Sequence, residues 1–509
     1  MNLPPLQSIA PTLLGTSLFI ALNAIAPLAT AATDLADTRS AATFETFNDW
    51  CRQRANLPPE TQHTVDVLLE RVETQDCGQA TDALLEKTDL WIRGDHITDV
   101  APLASLTHLE YLYLQDNQIV DLTPLAQLTQ LTQLDLENNQ ITDISPLANL
   151  TRLEWLDLSS NEIQDLSPLV SLTNLTELRL ENSGLTDLAS LASLTRLTSL
   201  DLTANEVADL SPLANLTRLT GLYLSFNQVT EVAPLQNLSQ LTQLELIENQ
   251  VVDLSALSQL TRLTYLNLSD NQIVDVAPLS KLANLEELAL SGNQIAGTPV
   301  LSGLPQLEGL ALSQNQITDL SQISDLPNLS VFEAEDNQIT TLNFGSSLPS
   351  LYRLSLQGNQ ITTLSSSTGL PSLERLNLAH NRITSVASSL NLPSLEMLIL
   401  SGNQLTTVES LTNLARLQLL ALDQNQITDV TPLGNLTGMG SLSLASNQIT
   451  DPTPLASLTR LIELDLANNQ VTDVSALTSL RNLVYFNLVE NPLQEIVCPV
   501  EPQQSVCQF

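Results

Sequence analysis

The chain has 509 residues and a net charge of −38, from 18 Lys and Arg against 56 Asp and Glu, with 43% hydrophobic and only 3% aromatic residues. The hydrophobic fraction is too high for a disordered acidic chain, so we expect the protein to fold. The negative charge repels phosphate groups and no run of Lys or Arg overrides it locally, which excludes nucleic-acid binding.

The N-terminal residues have the pattern of a secretory signal peptide. Residues 12–28 are apolar, and the small residues Ala-Thr-Ala-Ala follow them at positions 29–32. We predict a signal peptide at residues 1–31, cleaved after Ala31 or Ala32, and a linker at residues 32–41. An uncleaved membrane anchor is the alternative, but Asn23 and Pro27 interrupt a stretch at the short end of the roughly 17–25 residues that span a bilayer. The mature protein is therefore expected to be secreted, periplasmic or extracellular, without a membrane span.

Residues 42–87 contain no repeat and are predicted to form a small helical cap. Val65, Leu68, Leu69 and Val72 follow helical spacing, and Thr61 just before them is interpreted as the residue that caps the helix N-terminus.

From residue 88 onward the chain repeats every 22 residues. The segment LEYLYLQDNQIVDLTPLAQLTQ begins at residue 109 and recurs in similar form from residues 131 and 153. One Asn per repeat keeps this spacing from Asn117 to Asn491, with Ser183 as the sole exception. With Asp95 at the same position one repeat earlier, residues 88–492 form 19 units.

Each unit combines a strand with a short helical turn. Leu112 and Leu114 alternate with outward residues, which is the period of a strand with one buried face. Asn117 then turns the chain inward, where we expect its amide to hydrogen-bond backbone groups of adjacent coils. Thr123 and Pro124 are interpreted as a cap residue and the first residue of a short helix or 3-10 turn. Because one coil cannot bury its leucines alone, the units are predicted to stack into an open α/β solenoid.

The pattern LxxLxLxxNQITDLxPLAxLT resembles the 22-residue leucine-rich repeat of the bacterial internalin-like family, over residues 88 to about 492. The resemblance implies a curved rod with a concave parallel β-sheet, a convex side of short 3-10 or helical turns, and a role in protein recognition. Caps that contain cysteine at both ends also resemble exported repeat proteins of the cyanobacterial type.

All four cysteines lie outside the repeats. Cys51 and Cys77 fall in the N-terminal cap, and Cys498 and Cys507 fall in a C-terminal cap at residues 493–509. Because a rod keeps its two ends far apart, we predict the disulfides Cys51–Cys77 and Cys498–Cys507. A zinc site would require all four cysteines to meet, which the length of the rod prevents.

Side chains on the outer face of the strands are the candidate binding residues. Positions four and six residues before the Asn hold most aromatic residues of the repeats. Rigid aromatic rings are common interface anchors, and aliphatic side chains on adjacent turns form apolar patches. An isolated exposed apolar residue needs no partner, which is the alternative interpretation. We predict three partner-binding clusters: Trp91, Tyr111, Tyr113 and Trp155; Tyr223, Phe226 and Tyr265; and Met397, Ile399 and Leu419.

An acidic residue stands four positions after the Asn in 13 units, from Asp99 to Asp473. Stacked carboxylates can bind Ca²⁺, but each of these precedes a predicted helix start, where a carboxylate stabilises exposed backbone amides. We therefore favour capping over metal binding and expect neither a metal nor a cofactor. Between about residues 298 and 410 this column changes to Thr or Ser and Leu-Pro replaces Leu-Thr, which predicts a different convex wall.

These features favour a secreted, non-catalytic protein that binds a protein, or alternatively a glycan, through the concave face. An enzyme is the second class, but we interpret His63, His96, His108 and His380 as surface residues, because no Cys or Ser stands in a nucleophilic arrangement with them. The third is an intracellular regulatory subunit resembling phosphatase-regulating repeat proteins, which requires that the leader is not a signal peptide.

Overall fold

The computed structural model describes residues 44–364, 369–494, 498 and 506–508; the predicted signal peptide and linker lie outside them. No helix in this part of the chain is both long and apolar enough to cross a membrane. Twenty parallel strands of three residues form one sheet, and each strand pairs in register with its neighbour. In chain order the strands are Asp89–Trp91, Tyr111–Tyr113, Gln133–Asp135, Trp155–Asp157, Glu177–Arg179, Ser199–Asp201, Gly221–Tyr223, Gln243–Glu245, Tyr265–Asn267, Glu287–Ala289, Gly309–Ala311, Val331–Glu333, Arg353–Ser355, Arg375–Asn377, Met397–Ile399, Leu419–Ala421, Ser441–Ser443, Glu463–Asp465, Tyr485–Asn487 and Val506–Gln508.

The core consists of rows of apolar side chains that run across the sheet. Leu112 pairs with Leu134 and Leu134 with Leu156, and all three are fully buried. Because the strands of the 19 repeats stand in register at a spacing of 22 residues, equivalent inward side chains pack on one another along the stack. The predicted solenoid of stacked coils is confirmed.

A ladder of buried Asn side chains connects the coils. Asn117 Oδ1 accepts a hydrogen bond from Ile97 N at 2.9 Å, and its Nδ2 donates to the carbonyls of Ile92 and Leu114 at 2.7 and 2.9 Å. The same pattern recurs from Asn139 to Asn491. The expected role of this Asn is therefore confirmed: its amide satisfies backbone groups that the turn leaves without ladder partners.

Opposite the sheet, most units carry a 3-10 helix that an Asp caps. Thr123 is the first helical residue rather than the cap, and Pro124 is the second, so the predicted start was wrong by one residue. The capping group is the side chain of Asp121, whose Oδ1 accepts from Thr123 N at 2.8 Å. The carboxylate two residues before the helix reaches its first free N–H, which supports the capping interpretation of the acidic column. The helices are Ala101–Ser105, Thr123–Gln127, Ser145–Asn149, Ser167–Ser171, Ala189–Ser193, Ser211–Asn215, Ala233–Asn237, Ser255–Gln259, Ala277–Lys281, Glu409–Asn413, Thr431–Asn435, Thr453–Ser457 and Ser475–Ser479.

The convex side changes between residues 298 and 410, as the sequence predicts. In the described residues of this block, turns and two small parallel pairs replace the 3-10 helices: Ala296–Gly297 with Gln316–Ile317, and Thr363–Leu364 with Ser385–Val386. Thr363 and Ser385 occupy the position of the capping Asp and lie in extended backbone instead. Without the carboxylate, the chain uses hydrogen bonds between coils on this side.

The N-terminal cap is helical, as predicted, and packs on the first repeats. It contains α1 (Phe47–Gln53), a 3-10 turn (Arg54–Asn56), α2 (Pro59–Arg71) and α3 (Cys77–Leu85). Thr61 was wrongly interpreted as a helix cap, because α2 begins at Pro59 with a proline already in helical φ. The Thr61 hydroxyl instead donates to the carboxylate of Asp99, and Arg71 Nε donates to the Trp91 carbonyl at 2.8 Å.

Both disulfides join the expected cysteines, Cys51–Cys77 and Cys498–Cys507. Cys51 lies in α1, and Cys77 is the first residue of α3. At the other end, the strand Val506–Gln508 pairs with Tyr485–Asn487 and adds a twentieth strand that the sequence pattern did not predict. This strand covers an edge that would otherwise present unpaired backbone groups.

Candidate functional site

The outward side chains of the strands form a surface that we call the sheet face. Its first cluster centres on Trp91 and Tyr113, which are neighbours in the paired strands. Their rings stack with centroids 3.8 Å apart and an angle of 16° between the planes, while Trp91 remains 53% exposed. Trp91 Nε1 donates to Asp89 and Tyr113 OH donates to Gln133, at 2.8 and 2.7 Å, so both rings are held in place.

Tyr111 and Trp155 extend this cluster along the sheet. Tyr111 is in the same strand as Tyr113, and Gln133 separates it from Trp155 by one strand. The guanidinium of Arg179 lies over the Trp155 ring, 5.6 Å from its centroid, in a cation–π contact. Arg179 belongs to this surface although the sequence pattern did not single it out. We call Trp91, Tyr111, Tyr113, Trp155 and Arg179 the aromatic surface.

The second predicted cluster is less compact. Tyr223 and Tyr265 lie on strands separated by Gln243–Glu245, and Tyr223 OH donates to Gln243 at 2.7 Å. Phe226 is not on a strand; it stands at the turn beyond the strand end and is 43% exposed. The structure therefore places Tyr223 and Tyr265 near one another on the sheet face and Phe226 on its rim.

Phe226 occupies a backbone position that does not favour it. Its φ is +59°, and the residue before the ladder Asn is left-handed in most units, as at Asn138, Asp270 and Gly292. Gly, Asn and Asp tolerate this conformation, whereas a bulky side chain there costs about 1–2 kcal/mol. An exposed ring at a strained position favours a role outside the fold.

The third predicted cluster is contiguous. Met397 and Leu419 pair directly in neighbouring strands, and Ile399 follows Met397 on the same face. All three are partly buried. They form a small aliphatic surface far along the chain from the aromatic surface.

Two acidic residues of the sheet face are buried rather than solvent-facing, contrary to expectation. Asp135 and Asp157 are only 7% and 4% exposed, because neighbouring side chains in the in-register rows cover them. Desolvation by burial raises the pKa of Asp135 to about 6, and it also raises the pKa of Asp157 and Glu137. The carboxylate oxygens of Asp135, Glu137 and Asp157 lie within 4.8 Å of one another. Glu137 stands two residues before the ladder Asn, outside the two columns in which the sequence predicts binding residues.

The raised pKa of Asp135 predicts stability that increases on mild acidification. The Asp135 carboxyl keeps its proton up to about pH 6 in the folded state, whereas it loses the proton near pH 3.8 in the unfolded state. The stabilisation that comes from binding this proton is therefore complete below pH 3.8 and is lost as pH rises through 6. In buffers free of divalent cations, we expect Asp135 to add about 2 kcal/mol to the unfolding free energy between pH 7.5 and pH 4.5. Asp135→Asn should flatten this rise in urea titrations.

Asp143→Asn is the matched control. Hydrogen bonds from the Ser145 backbone and hydroxyl lower the pKa of Asp143, so its contribution is present above the ordinary pKa and lost as pH falls below it. This variant should therefore lose stability at neutral pH and leave the rise between pH 7.5 and pH 4.5 unchanged. Equal pH profiles for wild type and Asp135→Asn would contradict the assignment.

Two histidines of the N-terminal region contact backbone groups between the cap and the repeats. A ring nitrogen of His63 lies 2.6 Å from the Asp95 carbonyl oxygen, and a ring nitrogen of His108 lies 3.1 Å from that of Leu84. His96 and His380 are at turn positions with positive φ. These contacts give His63 and His108 a structural role in seating the cap.

Comparisons with known proteins support the fold. A family model described as leucine rich repeats in two copies matches residues 107–149, 151–193, 173–215, 217–259, 261–304, 371–413 and 459–498, and a second leucine rich repeat model matches residues 342–383. No curated protein matches the chain in sequence.

Among solved structures, the functional domain of InlJ from Listeria monocytogenes, described as including a cysteine ladder, is 25% identical, with 80% of this chain and 83% of that chain covered and a TM-score of 0.59. The internalin InlF from the same organism is 28% identical, with 84% and 97% covered and a TM-score of 0.37. The plant peptide hormone receptor RGFR1, solved in complex with RGF2, is 23% identical, with 79% and 78% covered and a TM-score of 0.57. The match to InlJ confirms the expected internalin-like resemblance among structural neighbours, while the cyanobacterial resemblance stays a prediction.

Proposed function

The chain belongs to the leucine-rich repeat family, and from this premise we propose that it is a secreted, non-catalytic protein that binds a protein partner on its sheet face. The observation that carries the proposal is the aromatic surface. Trp91 and Tyr113 stack and are held by hydrogen bonds, yet Trp91 is more than half exposed. The core of the fold does not require this exposed aromatic area, so the pair is available to contact a partner.

The composition of the aromatic surface is that of an interface centre. Trp, Tyr and Arg are the residues most enriched among those that dominate binding energy. Their rings lose little conformational entropy on binding, and the stack of Trp91 on Tyr113 has already restricted both. Arg179 is held by Glu177 at 2.6 Å and by the Trp155 ring, so it is also oriented in advance.

Charge indicates the chemistry of the partner. Asp89 and Glu177 stand beside the aromatic rings in the same strands, and the whole chain carries −38. A protein surface that presents Lys or Arg around an apolar centre is complementary to this arrangement. A glycan that stacks on the Trp and Tyr rings is the second candidate ligand, since rings of this type also accept apolar sugar faces.

Export is part of the proposal. Two disulfides at the ends of the solenoid support an oxidising compartment, because cytosolic thiols are kept reduced. The predicted signal peptide lies outside the described residues. N-terminal sequencing of the protein from its native cell checks this directly: a mature N-terminus at Ala32 or Thr33 supports export, whereas an intact Met1 supports the intracellular regulatory subunit.

Replacement of the aromatic anchors is expected to abolish partner capture. In Trp91→Ala/Tyr113→Ala, loss of two stacked anchors should weaken binding by about 100-fold or more, because truncating one such anchor costs about 2 kcal/mol. The partner is isolated by affinity capture from the fluid around the exporting cells, then purified and titrated by calorimetry. The same variant is applied to a glycan array to test the second ligand.

The matched control is Met397→Ala/Leu419→Ala, which truncates the aliphatic surface on the same face. This control should bind within about threefold of wild type if the aromatic surface is the site. A normal affinity for Trp91→Ala/Tyr113→Ala, with loss only in the control, would move the site to the aliphatic surface. Full affinity in both variants would show that the partner does not bind the sheet face at either cluster.

A further inference from the structure

Three carboxylates of the sheet face converge next to the aromatic surface. Asp135 and Asp157 pair directly in neighbouring strands, and Glu137 follows Asp135 by two positions. One carboxylate oxygen of each lies within 4.8 Å of the others, and among the residues that the structure describes this is the only group of three that meets this criterion. Asp135 and Asp157 are buried while Glu137 is exposed, so the group opens to solvent on one side.

Gln115 provides the second observation. It holds the position equivalent to Glu137 in the preceding coil. The two coils remain hydrogen-bonded beyond the ends of their strands, because Asp116 N donates to the Glu137 carbonyl at 3.0 Å. Gln115 and Glu137 each follow a sheet-face residue by two positions, so strand alternation directs both side chains to that face. Gln115 is 7% exposed, and its Oε1 is buried without a hydrogen-bond partner in the described chain. A buried amide oxygen without a donor, in the coil that adjoins Glu137, points to a cation as its partner.

The carboxylates keep oxygens available for such a cation. Asp135 Oδ1 accepts from Glu137 N at 3.1 Å, and Asp157 Oδ1 accepts from Ser159 N at 2.9 Å, so backbone amides fix both side chains through one oxygen. These backbone bonds do not use the second oxygen of either carboxylate. Arg179 approaches Asp157 Oδ2 only to 3.9 Å and is itself bound to Glu177. Arg93 is the other cation that acts on Glu137, and it is bound to Asp116 at 2.8 Å, so both arginines near the three carboxylates already have another carboxylate partner.

We propose that Asp135, Glu137, Asp157 and the amide oxygen of Gln115 bind one Ca²⁺ ion on the sheet face, with water completing its coordination. The ligand set is oxygen alone, which suits a hard cation and not zinc or copper. Ca²⁺ accepts six to eight oxygen ligands in a flexible geometry, whereas Mg²⁺ requires a near-ideal octahedron. Side chains from three successive coils suit the flexible geometry of Ca²⁺ better. The site goes beyond the proposed partner binding and does not depend on it.

The repeat itself explains why the site forms here. Asp465 occupies the same position as Asp135 and makes the same turn, in which its Oδ1 accepts from Ala467 N at 2.9 Å. Its neighbours on the adjacent strands are Ser443 and Asn487, and an alanine replaces Glu137. The backbone is therefore the same, and only the side chains of this group create a cation site.

The test uses the full mature protein, without any partner, and Ca²⁺ alone as the probe. Calorimetric titration should show one Ca²⁺ per chain, with a dissociation constant of about 10⁻⁴–10⁻³ M, as in extracellular calcium modules. Tb³⁺ should bind with luminescence excited through Trp155, two residues from Asp157, and Ca²⁺ but not Mg²⁺ should displace it. Asp135→Asn/Asp157→Asn should lower the Ca²⁺ affinity of this site by at least about tenfold.

Asp465→Asn is the matched control, because it changes the same repeat position and the same turn but should keep the site. Circular dichroism verifies that both variants remain folded. No stoichiometric Ca²⁺ in wild type would overturn the proposal, and so would a site retained in Asp135→Asn/Asp157→Asn, which would place Ca²⁺ elsewhere on the acidic chain. No partner is present in the Ca²⁺ titration. A failure to bind Ca²⁺ therefore does not contradict the proposed partner binding, and a failure to bind a partner does not contradict the Ca²⁺ site.

Discussion

Replacing one ladder Asn in the middle of the chain, Asn271→Ala, is expected to lower the free energy of unfolding by about 2–4 kcal/mol. Asn271 Oδ1 accepts from Val251 N at 2.9 Å, and Nδ2 donates to the carbonyls of Leu246 and Leu268 at 2.7 and 3.1 Å. Alanine removes these bonds and a fourth to the Ser269 carbonyl, and it leaves the Val251 N–H and the Leu246 carbonyl buried without partners. The Leu268 carbonyl still accepts from Asn293 Nδ2 at 2.9 Å. Each such group costs about 1–3 kcal/mol, with carbonyls at the lower end.

One unit has Ser183 in place of the ladder Asn, so introducing an Asn there should stabilise the protein instead of destabilising it. At Ser183 the hydroxyl only donates to the Glu181 carbonyl at 3.2 Å. The bond that Ile141 N makes to Asn161 has no counterpart at Ile163 N within the described chain. Ser183→Asn should restore it and stabilise the protein by about 1 kcal/mol.

Urea unfolding followed by circular dichroism measures both effects, and hydrogen exchange assigns them to particular coils. Local readout is required because stacked repeats can unfold in part rather than in one transition. A loss below about 1 kcal/mol for Asn271→Ala, or destabilisation by Ser183→Asn, would contradict the role assigned to the ladder.

The second large effect is expected at the N-terminal cap. Cys51→Ser/Cys77→Ser should destabilise the cap by about 3–4 kcal/mol, because the bridge closes a segment with a sequence separation of 26 and restricts the unfolded cap. The cap buries Val65, Leu68 and Leu69. Opening it would expose the apolar end of the solenoid, so hydrogen exchange should accelerate in α1 to α3 and in the first strands.

Cys498→Ser/Cys507→Ser is the matched control at the other end. Its bridge spans a separation of only 9 residues, so the entropic loss should be about 2–3 kcal/mol and confined to the last strands. The cap helices should exchange as in wild type. If the two variants showed the same exchange pattern at the N-terminus, the cap would not depend on its own disulfide.

The sequence determined the fold because the same 22-residue structural unit occurs nineteen times in the chain. The 22-residue period, the alternation of leucines and the inward Asn each follow from local rules, and the stack that buries them adds no unknown geometry. The helical cap, both disulfides and the altered convex wall also followed from composition and position. Local starts were less accurate: Thr61 and Thr123 resemble cap residues, but proline geometry and the carboxylate of Asp121 decided where the helices begin.

The candidate site was only partly readable. The sequence placed Trp91 and Tyr113 in one column, and their position in neighbouring repeats predicted proximity. Only the tertiary structure decided that their rings stack, that Arg179 lies over Trp155, and that Asp135 and Asp157 are buried beside the unpaired Gln115 oxygen. The physical reason is that a repeat specifies backbone register, whereas burial and pairing on the sheet face depend on which side chains happen to meet across three or four coils.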